Sequence, residues 1–159
     1  MNCVLVYYSY SGVTRKVILD MNKIISGTII EVLPQKPYNM LTAYSLGCKR
    51  ALGEEADPVS PSSIDVASYD HVIVAAPVWA WKPAPPINGA IQGLVNGEGK
   101  TASVICTAGS NVGSSLELMR KALEGHGLKV TGELALVSAD LKTNEKVEAF
   151  AAALMKGDV

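Results

Sequence analysis

The sequence predicts a doubly wound α/β domain, and three observations carry that expectation. Five short apolar runs recur along the chain with helical patterns between them. The runs do not alternate apolar with polar, which marks strands covered on both faces, as in a parallel sheet. The 159 residues are enough for one compact domain with a real core and too few for two, so a single domain over 1–159 is expected.

The strands are CVLVYY (Cys3 to Tyr8), TIIEVL (Thr28 to Leu33), HVIVAAP (His71 to Pro77), ASVICTA (Ala102 to Ala108) and ELALVSA (Glu133 to Ala139). After the first, Val13, Val17, Ile18, Met21, Ile24 and Ile25 share one face of a helix. Between the second and third strands, Pro34 to Tyr69 holds no strand pattern. Leu41, Tyr44, Cys48, Ala51 and Leu52 there suggest an extra helix, followed by the polar, proline-marked surface loop EEADPVSPSS. Ile87, Ala90, Ile91, Leu94 and Val95 repeat at helical spacing after the third strand. Ser114 and Glu117 read as a capping box over Leu116, Met119, Ala122 and Leu123, with Gly125 or Gly127 as the stop. Val147, Phe150, Ala151 and Leu154 form the buried face of the last helix.

Composition narrows the function classes. Hydrophobic residues make up 48% and charged residues 18%, an ordinary globular balance. Fourteen Lys and Arg stand against fifteen Asp and Glu, a net charge of −1. That leaves no basic excess for nucleic acid and no acidic field to steer a cationic partner. No apolar run approaches the length of a membrane span. The first strand starts almost at Met1 with no basic leader, so a cytoplasmic protein without a signal peptide is expected. Cys3, Cys48 and Cys106 are odd in number and far apart, offering neither a disulfide framework nor a metal pair, and read as small buried apolar residues. His71 and His126 read as surface residues.

In such a sheet ligands bind beyond the carboxyl ends of the strands, where strand order reverses. Three loops leave those ends. SYSGVT turns the first strand into the first helix, where backbone N–H groups and the helix dipole favour an anion. Ser9, Ser11 and Thr14 add neutral donors, Gly12 lets the chain close around the group, and helical geometry turns Arg15 and Lys16 to solvent. The loop is neither a Walker loop nor a dinucleotide turn, and the same residues would also serve as a plain helix cap. PVWAWKPAPP carries both tryptophans, Trp79 and Trp81, stiffened by Pro77, Pro83, Pro85 and Pro86. It offers a platform for something flat, or for a protein partner. TAGSNVG, Thr107 to Gly113, presents small residues and amides to a polar ring edge. Together the loops describe a site for a phosphorylated planar heterocycle, the shape of flavin mononucleotide (FMN).

Here the sequence resembles the flavodoxin family over nearly its whole length. YSYSGVT is similar to the family's hydroxyl-rich phosphate loop, and YDHVIVAAPVWAWKPAPPI to the segment that reaches the flavin from the third strand. The resemblance implies a three-layer sandwich with a five-stranded parallel sheet in order 2-1-3-4-5 and one FMN. Carried over by position, Ser9, Tyr10, Ser11, Gly12, Val13 and Thr14 surround the phosphate. Trp79, with Trp81 beside it, is expected against the isoalloxazine, and Pro77, Val78, Ala80 and Lys82 belong to the same cofactor-binding loop. Thr107, Ala108 and Gly109 are expected to border the ring's other edge or the ribityl chain. The implied role is electron transfer or flavin-dependent reduction. Its partner is a redox protein or a small electron donor or acceptor, as a monomer or a homo-oligomer.

Two departures stand out. The chain is almost neutral where carrier flavodoxins are acidic, and Trp81-Lys82 occupies a place where many relatives have glycine. Lys82, if turned inward, would favour an anionic reduced flavin. Other users of this architecture lack their signatures here: no aspartate ends the third strand, no Cys-x5-Arg follows the first, and Gly109 to Gly113 misplaces a hydrolase serine. The alternative from another class is a flavin-free binding or sensing module that uses the Trp79/Trp81 loop as a partner surface.

Overall fold

The structure is a computed structural model and describes residues 1–159. Ten principal elements follow in chain order: β1 (Cys3–Tyr7), α1 (Val13–Ile25), β2 (Thr28–Glu31), α2, β3 (His71–Trp79), α3 (Pro85–Gln92), β4 (Thr101–Ala108), α4 (Ser115–Gly125), β5 (Lys129–Val137) and α5 (Glu145–Lys156). The inserted α2 runs as three consecutive pieces, Met40–Thr42, a π-helical turn Ala43–Gly47, and Cys48–Leu52. The central sheet is parallel, as the strand pattern predicts, in the order β2-β1-β3-β4-β5 that the family resemblance implies.

The three central strands, β1, β3 and β4, are buried on both faces because each face packs a different pair of helices, whereas the edge strands β2 and β5 are only partly covered. Val4, Val6, Val72, Val74, Ala102, Val104 and Cys106 meet Ile87, Ala90 and Ile91 of α3 and Met119 and Leu123 of α4. Cys3, Leu5, Tyr7, Ile73, Ala75 and Ile105 meet Val17, Ile18, Met21 and Ile25 of α1 and Val147, Ala151 and Leu154 of α5. Each fully buried Leu, Ile or Met contributes about 1.5–3 kcal/mol, so a charge at Ile18 would break the α1 face.

The structure departs from the sequence reading at several edges. Val13 and Ile24 of α1 are exposed at the margins of its stripe. The third helical pattern stops at Gln92, and Leu94–Val95 instead forms a short parallel bridge with Ile64–Asp65. The segment read as strandless also gives Val59–Ser60, paired with Leu33–Pro34. Ser114 precedes α4, but its side chain caps no amide, so the capping box does not form. Ala122 is exposed. In α2, Leu41, Tyr44 and Leu52 face solvent, while Ala51 is buried and Cys48 is half-buried.

His71 is the clearest correction. It opens β3 and is buried, with Nδ1 2.7 Å from Thr101 Oγ1 and Nε2 2.9 Å from Ser103 Oγ. Two hydroxyls on the neighbouring strand supply what water would, so the ring is satisfied without exposure. Burial lowers its pKa to about 4, leaving it neutral at pH 7.

Candidate functional site

The chain steps from β1 outward to β2 and then returns to β3 on the other side of β1. The crevice above β1 and β3 is therefore the point where strand order reverses, the place this architecture reserves for ligands. Parallel strands bring the ends of β1, β3 and β4 to that same edge, so all three predicted loops meet there.

The first loop is shaped by Gly12, whose φ of 92° lets the chain turn sharply into α1. Ser9 is buried, and its Oγ accepts the Gly12 N–H at 3.1 Å, so it builds the turn. Tyr10, Ser11 and Val13 are exposed. The N–H groups of Ser11, Val13, Thr14 and Arg15 find no acceptor in the protein, as expected of a helix start. A Cβ at Gly12 or Gly109 would meet no atom within 4 Å, so the space beside both is open. Thr14 is buried, and its Oγ1 lies 2.8 Å from Thr107 Oγ1, tying the loop to the end of β4.

The nearby cations are committed elsewhere. Arg15 pairs with Glu31 at 2.5 Å, and Lys16 with Asp20 at 2.6 Å and Asn144 at 3.1 Å. Lys16 and Lys23 together hold Asp20 down at about 2. What faces the crevice is a neutral cradle of amides at the positive end of a 13-residue helix. Such a cradle can bind a phosphate dianion without a side-chain charge.

Beyond the strand ends, β3 continues into a tight hairpin in which Val78 pairs with Pro83 and Trp79 with Lys82. Its two-residue turn, Ala80 and Trp81, has φ of 49° and 65°. Two positive values mark the primed turn that matches strand twist, although neither residue is one that favours it. The next loop holds it there: Ser114 N–H donates to the Trp81 carbonyl at 3.1 Å, and Gly113 lies directly against Trp81. Trp81 is 62% exposed at the rim. Lys82 does not turn inward: its Nζ bonds Glu54 Oε1 at 2.8 Å, part-way into solvent.

Trp79 is half-buried and meets three tyrosines edge-to-face: Tyr8 at 5.9 Å, Tyr10 at 5.7 Å and Tyr38 at 5.0 Å between ring centroids. An apolar cleft of about 220 Å³ opens beside it, walled by Tyr10, Tyr44, Cys48, Trp79 and Ala80. Pro77 and Val78 lie half-buried below the hairpin, Thr107 is buried at the end of β4, Ala108 is half-buried, and Gly109 is exposed. Every predicted site residue thus lies on the three loops around the crevice or at the strand ends beneath them. Sequence reasoning missed Tyr8, Tyr38, Tyr44 and Cys48. The only signal for Tyr44 and Cys48 was the extra helix itself, Tyr38 just ahead of it carried none, and nothing in the helix's spacing said that it folds back over the site.

These features define a class: a doubly wound α/β protein with an uncharged anion cradle and an aromatic wall at its switch point. A family model described as Flavodoxin matches residues 2–150, and the chain belongs to the flavodoxin family. FMN is the cofactor of that family, and the open space beside Gly12 and the unpaired amides fit its phosphate. No curated protein matches the chain significantly. Among solved structures, the chain is similar to a candidate flavoprotein from Bacteroides eggerthii (TM-score 0.79, 20% identity, covering 99% of this chain and 98% of that one). A Lactobacillus acidophilus flavoprotein in complex with FMN gives 0.67 at 20% identity, covering 94% and 98%. Oxidised flavodoxin 2 from Bacillus cereus gives 0.61 at 14%, covering 99% of each chain. At these identities the likeness concerns the fold. No helix is long and apolar enough to cross a membrane.

Proposed function

We propose that the protein binds one FMN at the switch point and acts in electron transfer or flavin-dependent reduction in the cytoplasm. Its counterpart is a redox protein or a small electron donor or acceptor. The observation that carries this reading is the cradle, in which four unpaired amides surround a left-handed glycine and no cation lines the wall. A nucleotide phosphate satisfies those amides, and family membership supplies the heterocycle attached to it. When bound, FMN supplies reversible acceptance of electrons or hydride.

The chain's own residues then divide the work. The N–H groups of Ser11, Val13, Thr14 and Arg15, with the Ser11 hydroxyl, hold the phosphate. Ser9 and Gly12 keep the turn open for it. Tyr10, Trp79 and the Ala80-Trp81 turn exclude water from one side of the ring, and Thr107, Ala108 and Gly109 border the other. The flavin-free alternative has no specific observation in its favour. The test is a titration of the apoprotein with FMN followed by flavin fluorescence. Ser11→Ala should raise the dissociation constant about tenfold, the loss of one hydrogen bond to a charged group. Failure of the wild type to bind FMN, or equal affinity in the variant, removes the cradle from the account.

A further inference from the structure

The insert between β2 and β3 contains a buried charged arrangement that the flavin reading leaves unused. The Asp57 side chain is only 8% exposed, yet both its oxygens are engaged. Arg50 Nε donates to Oδ1 at 2.9 Å, and the Tyr38 hydroxyl donates to Oδ2 at 2.5 Å. Arg50 is itself held on its other nitrogens, by Glu55 at 3.1 Å and the Ala56 carbonyl at 3.2 Å. With Arg50 28% and Asp57 8% exposed, the pair contributes little to net stability, because desolvation of the carboxylate offsets the attraction. Its effect is geometric: it fixes the hydroxyl of Tyr38, and the tyrosine ring meets the indole of Trp79 nearly perpendicularly, at 87°.

The same insert closes on Trp79 from a second direction. Gly47 ends the π-helical turn of α2, and a Cβ there would stand 2.6 Å from Trp79 Cζ3. The absence of a side chain lets the helix approach the ring, and π turns of this kind recur at functional sites. Tyr38 and the α2 backbone thus pack against the indole from two directions.

We propose that Tyr38, anchored through Asp57 to Arg50, is a positioning residue for Trp79, so that the insert sets the aromatic wall of the site. Only the FMN half of this inference rests on the flavin reading; the fixed indole is a property of the apoprotein. The first experiment therefore needs no cofactor. In a Trp81→Phe background, where Trp79 is the sole tryptophan, its near-ultraviolet circular dichroism is measured with and without Tyr38→Phe. That change keeps the ring and removes the hydroxyl. The Trp79 band should lose most of its intensity while far-ultraviolet ellipticity stays constant. Asp57→Asn, which keeps the shape and removes the charge, should act in the same direction, and it carries the test if Tyr38→Phe does not fold.

The second arm is a double-mutant cycle in FMN affinity. Tyr38→Phe should raise the dissociation constant about three- to tenfold alone and add much less in a Trp79→Phe background. Combined with Ser11→Ala, at the far end of the cofactor, its effect should simply add. A Trp79 band unmoved in both variants, or an effect that adds fully to Trp79→Phe, overturns the positioning role alone. Failure of the wild type to bind FMN overturns the flavin reading instead, and leaves the circular-dichroism test of the positioning role standing.

Discussion

The two ends of the central sheet face opposite physical problems. At the amino end, where β3 begins, His71 is sealed between Thr101 and Ser103, and each ring nitrogen has a partner. At the carboxyl end, amides lack acceptors, a tryptophan stands in solvent, and two consecutive non-glycine residues, Ala80 and Trp81, adopt left-handed backbone. The first end is complete without a ligand. The second departs from the most stable arrangement at several adjacent points, and such departures concentrate where proteins bind or react.

The largest test of this contrast is Gly113→Ala. Position 113 has φ of 57°, and an added Cβ would overlap the carbonyl oxygen and Cβ of Trp81. Left-handed strain and overpacking together should cost about 4 kcal/mol of unfolding free energy, read from the shift in the urea midpoint at constant slope. A loss below about 1 kcal/mol would mean that the two loops do not brace each other.

Next comes the amino end, through pH. His71 has its pKa lowered to about 4 by burial, below an unfolded value near 6.5. Between those values the unfolded chain binds the proton and the folded chain does not, so acidification favours unfolding. Its contribution is whole above pH 6.5, falls as pH drops through the window, and levels off below about 4 after a loss of about 3 kcal/mol. His71→Gln should remove about one proton from the slope of stability against pH across that window. An unchanged slope would mean that the histidine is hydrated.

The smallest expected effect belongs to Lys82. Its half-solvated pair with Glu54 should contribute less than about 0.5 kcal/mol, so Lys82→Ala should leave thermal stability and both flavin midpoint potentials nearly unchanged. A clear shift in either potential would bring the lysine back to the ring.

The sequence made the sheet legible because burial on both faces writes itself as unbroken apolar runs, and CVLVYY and HVIVAAP could be little else. The glycine turn into α1 was legible for a similar local reason, a single glycine among hydroxyls between a strand and a helix, but the sequence alone left an anion cradle and a plain helix cap equally open. The aromatic wall was only half visible. Trp79 stood out by rarity, but its partners Tyr8, Tyr10 and Tyr38 arrive from β1, the first loop and the insert, and no spacing rule joins positions so far apart. His71 was misread for the same reason, since Thr101 and Ser103 lie thirty residues on. The exposed apolar residues of α2 look like core in the sequence because periodicity reports a stripe and not what covers it.

The tip of the β3 hairpin has a consequence for how its shape is inherited. A turn with two positive φ angles is at home with Asn-Gly, and Ala80-Trp81 offers the backbone no such ease. Its curl is enforced from outside, by the Ser114 amide and the bare flank of Gly113. The motif is therefore not portable. A peptide of these residues alone would spring open, and a graft into another scaffold would keep its form only if the strand-four loop travelled with it.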